Sequence, residues 1–416
     1  MTARMTRRAA LAGATLALPA LRGATAQGAP IRIGAAFALS GPGEPVGTAL
    51  LRGAQIAVAL ANKAGGINGR QIELAVRDDR YNAAASVAAA RELAGDGVRL
   101  ILGGSQTVTA LSVIPILPEI DALLVSPAAA GMAITHELFN RRVFRLTSNT
   151  YTLYRCMGRA LAEKAPSVQD WAIVAPEGEY GRGFAAYVRG GLEQYMPKVA
   201  NGAKARVADP IFLPATATDF KVAINALMNS GAQGLALGIV GAPQITFLQQ
   251  ARALGLFSRL KVVGDGGNEL VTAKALQKNL PEGFWSVSFG STLAPPFNQR
   301  PAIRDIQAEY VRMTNDHSPP GLVLAGHRAA QALMAGIAKA GGTEPDGVAK
   351  AMEGLEFDSA TGPYRIRAED HQGLGTDYFL KISPSGNAPF YEIADVVGVA
   401  ENEMVEPATP GVAFSG

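Results

Sequence analysis

The feature that most constrains this chain is a strand, loop, helix, turn and strand unit running from Ile31 to Asp79, IRIGAAFALSGPGEPVGTALLRGAQIAVALANKAGGINGRQIELAVRDD. A short apolar run leads into a Gly/Pro loop, an Ala-rich stretch at helical spacing, a second Gly-rich turn and a second apolar run. Two parallel strands need a crossover long enough to hold a helix, and this order supplies one. In folds of this kind the loop after the strand carries the ligand. Its amides and the start of the next helix point outward there.

The alternation continues down the chain. Strand-like runs at Ile31–Phe37, Gln71–Arg77, Arg99–Leu102, Leu123–Val125 and Val143–Leu146 are separated by helical ones. A second series follows at Trp171–Val174, Ala205–Phe212, Gly234–Ile239 and Lys261–Val263. Such alternation predicts parallel sheets covered by helices on both faces, with right-handed connections. After Pro281 come an extended PEGFWSVSF segment, a Pro-rich loop at Ala294–Pro301, helices at Ile303–Asn315 and Gly321–Ala340, and a β-like stretch over 361–398. A chain that builds one lobe, builds a second and then returns leaves several connecting strands. These crossings are predicted near Ser148–Thr150, Glu282–Ser286 and Phe357–Gly362. The expected fold is α/β, with two doubly wound Rossmann-like lobes joined by a three-strand hinge. Lobe I is expected over 27–149 plus 284–357, lobe II over 150–283 plus 358–406, and residues 407–416 as a loose tail.

Composition agrees with two cores. The first 26 residues read as a cleaved export signal, with Arg4, Arg7 and Arg8 before an uncharged Ala/Leu run and Ala24-Thr25-Ala26 as the cleavage pattern. The paired Arg7-Arg8 resembles a twin-arginine signal, and the apolar run is too short to span a membrane. The remaining chain of about 390 residues exceeds a single comfortable core. With 48% hydrophobic and 18% charged residues it can fill two. The net charge of +3 includes four arginines in the signal, so the rest stands near −1 and gives no argument for nucleic acid. Cys156, the one cysteine, excludes an intramolecular disulfide and is expected as buried packing.

The wording of the opening is specific. SGPG at Ser40–Gly43, RGAQIAV at Arg52–Val58, AGGINGR at Ala64–Arg70 and Asp78-Asp79 closely resemble the start of periplasmic binding proteins for branched-chain amino acids, the solute receptors of ABC importers. The resemblance implies a type I periplasmic-binding fold, a small-molecule solute held between two lobes, a permease of the inner membrane as partner, a periplasmic location and no cofactor. It also implies site residues. Val46 lies in the first loop. Ser105, Gln106 and Thr107 in GGSQT stand where the family has Gly-Pro-x-Ser-Ser. Ala128, Ala129 and Ala130 in SPAAAG stand where it has Ser-Pro-x-Ala-Thr. From the second lobe, Tyr180 in EYGRG matches the Tyr-Gly-x-Gly loop, Val240 lies in LGIVGAP, and Asp265 in GDGG is the candidate counter-ion for an ammonium.

The chain also departs from the amino-acid pattern. The family's Thr is Ala130, its loop aromatic is Val46, and LGIVGAP lacks the tyrosine common there. Burying a zwitterion without polar anchors leaves charge unpaired, at a cost of several kcal/mol. An aromatic or short-chain carboxylate, or an amide, therefore stands beside an amino acid as the expected solute. His327-Arg328 is expected on a solvated helix face, Trp285 as hinge packing and Asp78-Asp79 as a solvated turn. No enzyme is expected. Dinucleotide, phosphate-loop and nucleophile-elbow motifs are missing from the sequence, and its four histidines are scattered without metal-ligand spacing. A sensory receptor module is the alternative of another class, and a hydrolase the remotest.

Overall fold

The computed structural model describes residues 28–267, 269–400 and 404–415. The export segment expected over residues 1–26 lies outside them. In the first sheet, β1 (Ile31–Phe37), β2 (Ile72–Asp78), β3 (Leu100–Gly103), β4 (Leu123–Ser126) and β5 (Val143–Arg145) are all parallel, in the order β2-β1-β3-β4-β5. The crossovers include α1 (Glu44–Lys63), α2 (Ala83–Gly95) and α3 (Thr107–Val113). Their starts are written in the sequence. Pro45 stands where a helix has no use for the missing N–H, and Asn82 Oδ1 accepts from the Ala84 and Ala85 amides at 2.9 and 3.1 Å.

The second sheet repeats the plan. Following α4 (Thr150–Lys164) come β6 (Asp170–Pro176), α5 (Glu179–Val199), β7 (Arg206–Val207), β8 (Ile211–Leu213), α6 (Lys221–Asn229), β9 (Gly234–Leu237), α7 (Ala242–Ala253), β10 (Val262–Asp265), α8 (Glu269–Leu276) and β11 (Phe284–Ser288). The single strand expected over Ala205–Phe212 is two. Both β7 and β8 pair with β6, and the break holds Pro210, which has no N–H to give a ladder. Strands β6, β7 and β9 to β11 run β7-β6-β9-β10-β11, the first sheet's order again.

The chain then returns through α9 (Pro301–Thr314), α10 (Gly321–Ala340), α11 (Pro345–Met352) and a small sheet of β12 (Glu356–Ser359), β13 (Gly362–Ile366) and β14 (Gly373–Leu374). Leu322, Val323, Tyr364 and Ile366 share one apolar core with Ile33, Leu50 and Phe144 of the first sheet and α1. Finally β15 (Asp377–Pro384) and β16 (Tyr391–Val399) extend the second sheet as an antiparallel edge beyond β11.

The passages between the sheets are therefore at Leu146–Asn149, just after Ser288 and near Gly375–Thr376. The second and third lie later than the sequence suggested. The stretch Glu282–Ser286 runs into β11, which is locked in register between β10 and β15. Phe357–Gly362 forms a hairpin on the first core. Buried polar groups tie these passages together. Ser148 Oγ donates to Asp377 Oδ1 at 2.7 Å. Arg328 donates through Nε and Nη2 to Leu146 O at 3.2 and 2.9 Å and lies 4.6 Å over the Tyr364 ring. His327 and Arg328 are thus buried, not solvated as expected, because the face of α10 that carries them turns toward the first passage.

The expected loose tail is a strap. Glu406 accepts from Arg367 Nη2 at 3.0 Å and from Thr152 Oγ1 of α4 at 2.9 Å. His136 holds Thr409 Oγ1 at 2.6 Å and accepts through its carbonyl from Gly411 N at 2.7 Å. The Phe414 ring lies 5.1 Å from that of Tyr151 and 4.9 Å from that of His136. Arg367 and His136 belong with the first core's elements, Tyr151 and Thr152 with the second's. Cys156 is buried, as expected, beside Met404 Sδ at 3.6 Å.

Burial pushes the Asp377 carboxyl up to about 6, opposed by the Ser148 hydroxyl and the Arg328 charge. A folded-state value raised above the unfolded one contributes stability below about pH 4 that is lost as pH rises through about 6. Asp377→Asn keeps an acceptor for Ser148 and removes the ionisation. Its stability relative to the parent is expected to rise by on the order of 2–3 kcal/mol between pH 4 and pH 7, measured by denaturant unfolding at both. Equal differences at the two pH values contradict the assignment.

Candidate functional site

In a sheet of order 2-1-3-4-5 the crevice opens at the carboxyl ends of the strands where the order reverses. The first sheet's reversal lies between β1 and β3, and the second's between β6 and β9. The two reversals face each other across a cavity of about 520 Å³. The loop after β3 supplies Ser105, Gln106 and Thr107, and the loop after β4 supplies Ala128 and Ala130. From the other side come Glu177–Tyr180 after β6, Val240 after β9, and Gly266 and Gly267 after β10.

The first-lobe side is a set of donors on a rigid frame. Ser126 Oγ donates to Gly104 O at 2.8 Å and receives Ala129 N at 3.2 Å, which joins the two loops. Gly131 N donates to Thr107 Oγ1 at 3.1 Å. Ser105 Oγ and Gln106 Nε2 are buried without a hydrogen-bond partner. Gln106 is also the N-cap residue of α3, so these groups gather where free helix amides favour negative charge. Among the described lining residues there is no lysine or arginine. The arrangement can hold a carboxylate or carbonyl through neutral donors, with most remaining lining apolar.

The turn at Asp78-Asp79 is solvated only at Asp78, which is part-exposed, while Asp79 is buried. Asp78 Oδ1 accepts from Leu39 N and Arg80 N at 2.8 and 2.9 Å, and Oδ2 from Ser40 Oγ at 2.6 Å. The carboxylate thereby pins the SGPG loop beside Val46. Asp79 is buried, accepts from Tyr81 N at 2.9 Å and is pushed by burial up to about 6. This turn puts Tyr81 on the cavity wall at φ 56°, unusual for a bulky residue.

The second-lobe side is built around two tyrosines. The Tyr154 and Tyr180 hydroxyls lie 2.8 Å apart, and Tyr154 OH donates to Gly266 O at 3.1 Å. Burial drives both hydroxyls above their ordinary range, so both remain protonated donors. Glu179, the first residue of α5, reaches across to the first lobe, where its Oε1 accepts from Met132 N at 2.6 Å. Burial raises its carboxyl, against the Met132 bond and the Arg145 charge. The lips also meet at Ala242 N, which donates to Pro42 O at 3.1 Å.

Of the site residues read from sequence, Val46, Ser105, Gln106, Thr107, Ala128, Ala130, Tyr180 and Val240 line this one cavity. Ala129 and Asp265 do not. Ala129 is buried behind the loop. Asp265 is wholly buried, with Oδ2 accepting from Ser286 Oγ at 2.6 Å and Oδ1 from Gly267 N at 3.2 Å, so it shapes the loop that lines the cavity. Trp285 packs in the second core, away from the cavity. Sequence reasoning missed Tyr81, Tyr154, Glu179, Phe289 and Leu322. A signal existed for Tyr154, a hydroxyl-bearing ring on the apolar face of α4. None existed for Phe289 and Leu322, brought in by the later passage.

The sequence profile described as periplasmic binding protein matches residues 30–387. The chain belongs to that family. Among its relatives is the leucine-, isoleucine-, valine-, threonine-, and alanine-binding protein of Pseudomonas aeruginosa, 28% identical over 333 residues, which cover 80% of this chain and 84% of that protein. The solved amino acid ABC transporter substrate-binding protein of Pseudomonas fluorescens Pf-5 superposes with a TM-score of 0.76 at 20% identity, covering 92% of this chain and 99% of that one. The solute binding protein of an ABC transporter from Rhodopseudomonas palustris BisB5, solved with 3,4-dihydroxybenzoic acid, gives 0.73 at 17% identity, covering 89% and 96%. The fold of this periplasmic binding protein is the type I fold, two α/β lobes with parallel sheets. Among its described residues no helix is long and apolar enough to cross a membrane.

Gly241 forms the second lip at φ 74°, and a Cβ there would sit 2.4 Å from Pro42 O. Gly241→Ala is expected to part the lips and to cost about 1–3 kcal/mol of stability. Small-angle scattering should show a larger radius of gyration than the parent. An unchanged profile and melting temperature contradict the lip assignment.

Proposed function

We propose that this chain is an exported solute receptor of an ABC importer. It closes over a small amino acid, or a related small carboxylate or amide, and delivers it to a membrane permease. The observation that carries the reading is the cavity between two opposed strand-order reversals, with unpartnered donors at Ser105 and Gln106 on one side. The start of α3 and the Ala128–Ala130 loop hold the solute's carboxylate or carbonyl first. Tyr180 and Val240 then cover it as the lobes close about the three passages. Contacts made only in the closed form shift the population toward closure. The P. aeruginosa relative's name supports an amino acid as the solute.

A second reading, an aromatic acid without an ammonium group, is favoured by one observation. Asp265, the expected counter-ion, is buried behind the loop and already bonded to Ser286 and Gly267. The type I fold houses such a solute in the R. palustris protein.

A thermal-shift screen of the protein lacking residues 1–26 decides between them, with leucine, isoleucine, benzoate, 4-hydroxybenzoate, propionate and acetamide as probes. A solute at 100 times its Kd stabilises by about 2.7 kcal/mol, roughly 5–10 °C for lobes of this size. The receptor reading expects such a shift from at least one probe, and expects Tyr180→Ala or Gln106→Ala to weaken binding about tenfold or more. No shift from any probe at millimolar concentration contradicts it. Response to the aromatic acids alone selects the second reading.

A further inference from the structure

Glu179 does something the tyrosines beside it do not. It begins α5 in the second lobe, yet its carboxylate is spent on the first. Oε1 accepts from Met132 N at 2.6 Å, and the Ala133 amide faces the same carboxylate. Oε2 is buried against Gly131, where an added Cβ would fall 2.3 Å from it. A larger residue at 131 would have to push the Glu179 carboxylate and the Thr107 methyl aside.

The loop it grips is the one that lines the cavity. Gly131 N donates to Thr107 Oγ1, and Gly131 O accepts from the buried Arg145 guanidinium. Ala128 and Ala130 are the lining residues just before it. A bond from Glu179 to Met132 thus fixes, from the opposite lobe, the position of Thr107 and of the Ala128–Ala130 backbone. Parting the lobes breaks this bond, because its two ends belong to different lobes, as do those of the bond from Ala242 N to Pro42 O.

We propose that Glu179 is the latch of the closed cleft, a positioning residue that holds the first-lobe loop 131–133 across the lobe interface rather than contacting the solute. The proposal rests on the reading of the chain as a closing receptor, but its readout needs no solute. A charge-assisted bond to a main-chain amide is among the stronger hydrogen bonds a protein makes. Its loss frees both the loop and the lobes.

The test is hydrogen exchange of the ligand-free protein, read at the amides of residues 131–134 by NMR or mass spectrometry. Glu179→Ala is expected to speed exchange at Met132 and Ala133 about tenfold or more, while amides of β4 and β6 keep their protection. Glu179→Gln, which retains an acceptor oxygen, is expected to stay within about threefold of the parent. Gly131→Ala, which displaces the carboxylate, is expected to match Glu179→Ala. Parental protection at Met132 in Glu179→Ala overturns the proposal, and so does exchange in Glu179→Gln as fast as in Glu179→Ala. If the exchange pattern holds while no probe binds, the receptor reading falls and the latch stands.

Discussion

The cleft depends on one guanidinium taken wholly out of water. Arg145 ends β5, and its side chain is fully buried. Such a charge is tolerated only when its donors meet acceptors. Here Nε reaches Gln372 Oε1 at 2.7 Å, Nη1 reaches Gly131 O, and Nη2 reaches Thr135 Oγ1. Burial still lowers its pKa to about 10, so the group stays charged at neutral pH. The acceptors come from two distant segments of the chain. Gly131 and Thr135 flank the loop that meets Glu179, and Gln372 leads into the third passage while its Nε2 donates to Thr147 O of the first at 2.7 Å. Satisfying one cation thus sets the loop, two passages and the small sheet in a common frame.

Around that frame the cavity lining is neutral apart from Glu177 and Glu179. The lining offers hydroxyls, the amide side chains of Asn82 and Gln106, and helix-start N–H groups. A neutral donor in a dry cleft keeps its strength without the desolvation cost of a mobile lysine. The aspartates of the region, Asp78, Asp79 and Asp265, each hold a loop in place through main-chain amides or hydroxyls. Charge is used here to build walls.

The legible part of this protein is the part governed by local pattern. Alternating apolar runs and helical stretches placed nearly every strand and the loops at their carboxyl ends. Eight of the ten residues chosen from those loops line a single cavity, because strand order in a doubly wound sheet delivers them there. The failures share a cause. Asp265 sits in the right loop, but whether its carboxylate faces the solute or the loop's own amide depends on Ser286, twenty-one residues on. His327 and Arg328 look like a polar helix face until Leu146 O and Tyr364 arrive from elsewhere. The passages at Ser288 and Gly375, and the strap from Met404 to Phe414, are settled by pairing and packing between distant segments, which no window of neighbouring residues reveals.

The lips at Pro42 and Ala242 touch through a main-chain carbonyl and a main-chain amide, the second of which every residue type but proline can supply. At this point the contact between the lobes does not depend on the side chains that face the cavity. Wall side chains other than Glu179 can be exchanged without touching this main-chain contact.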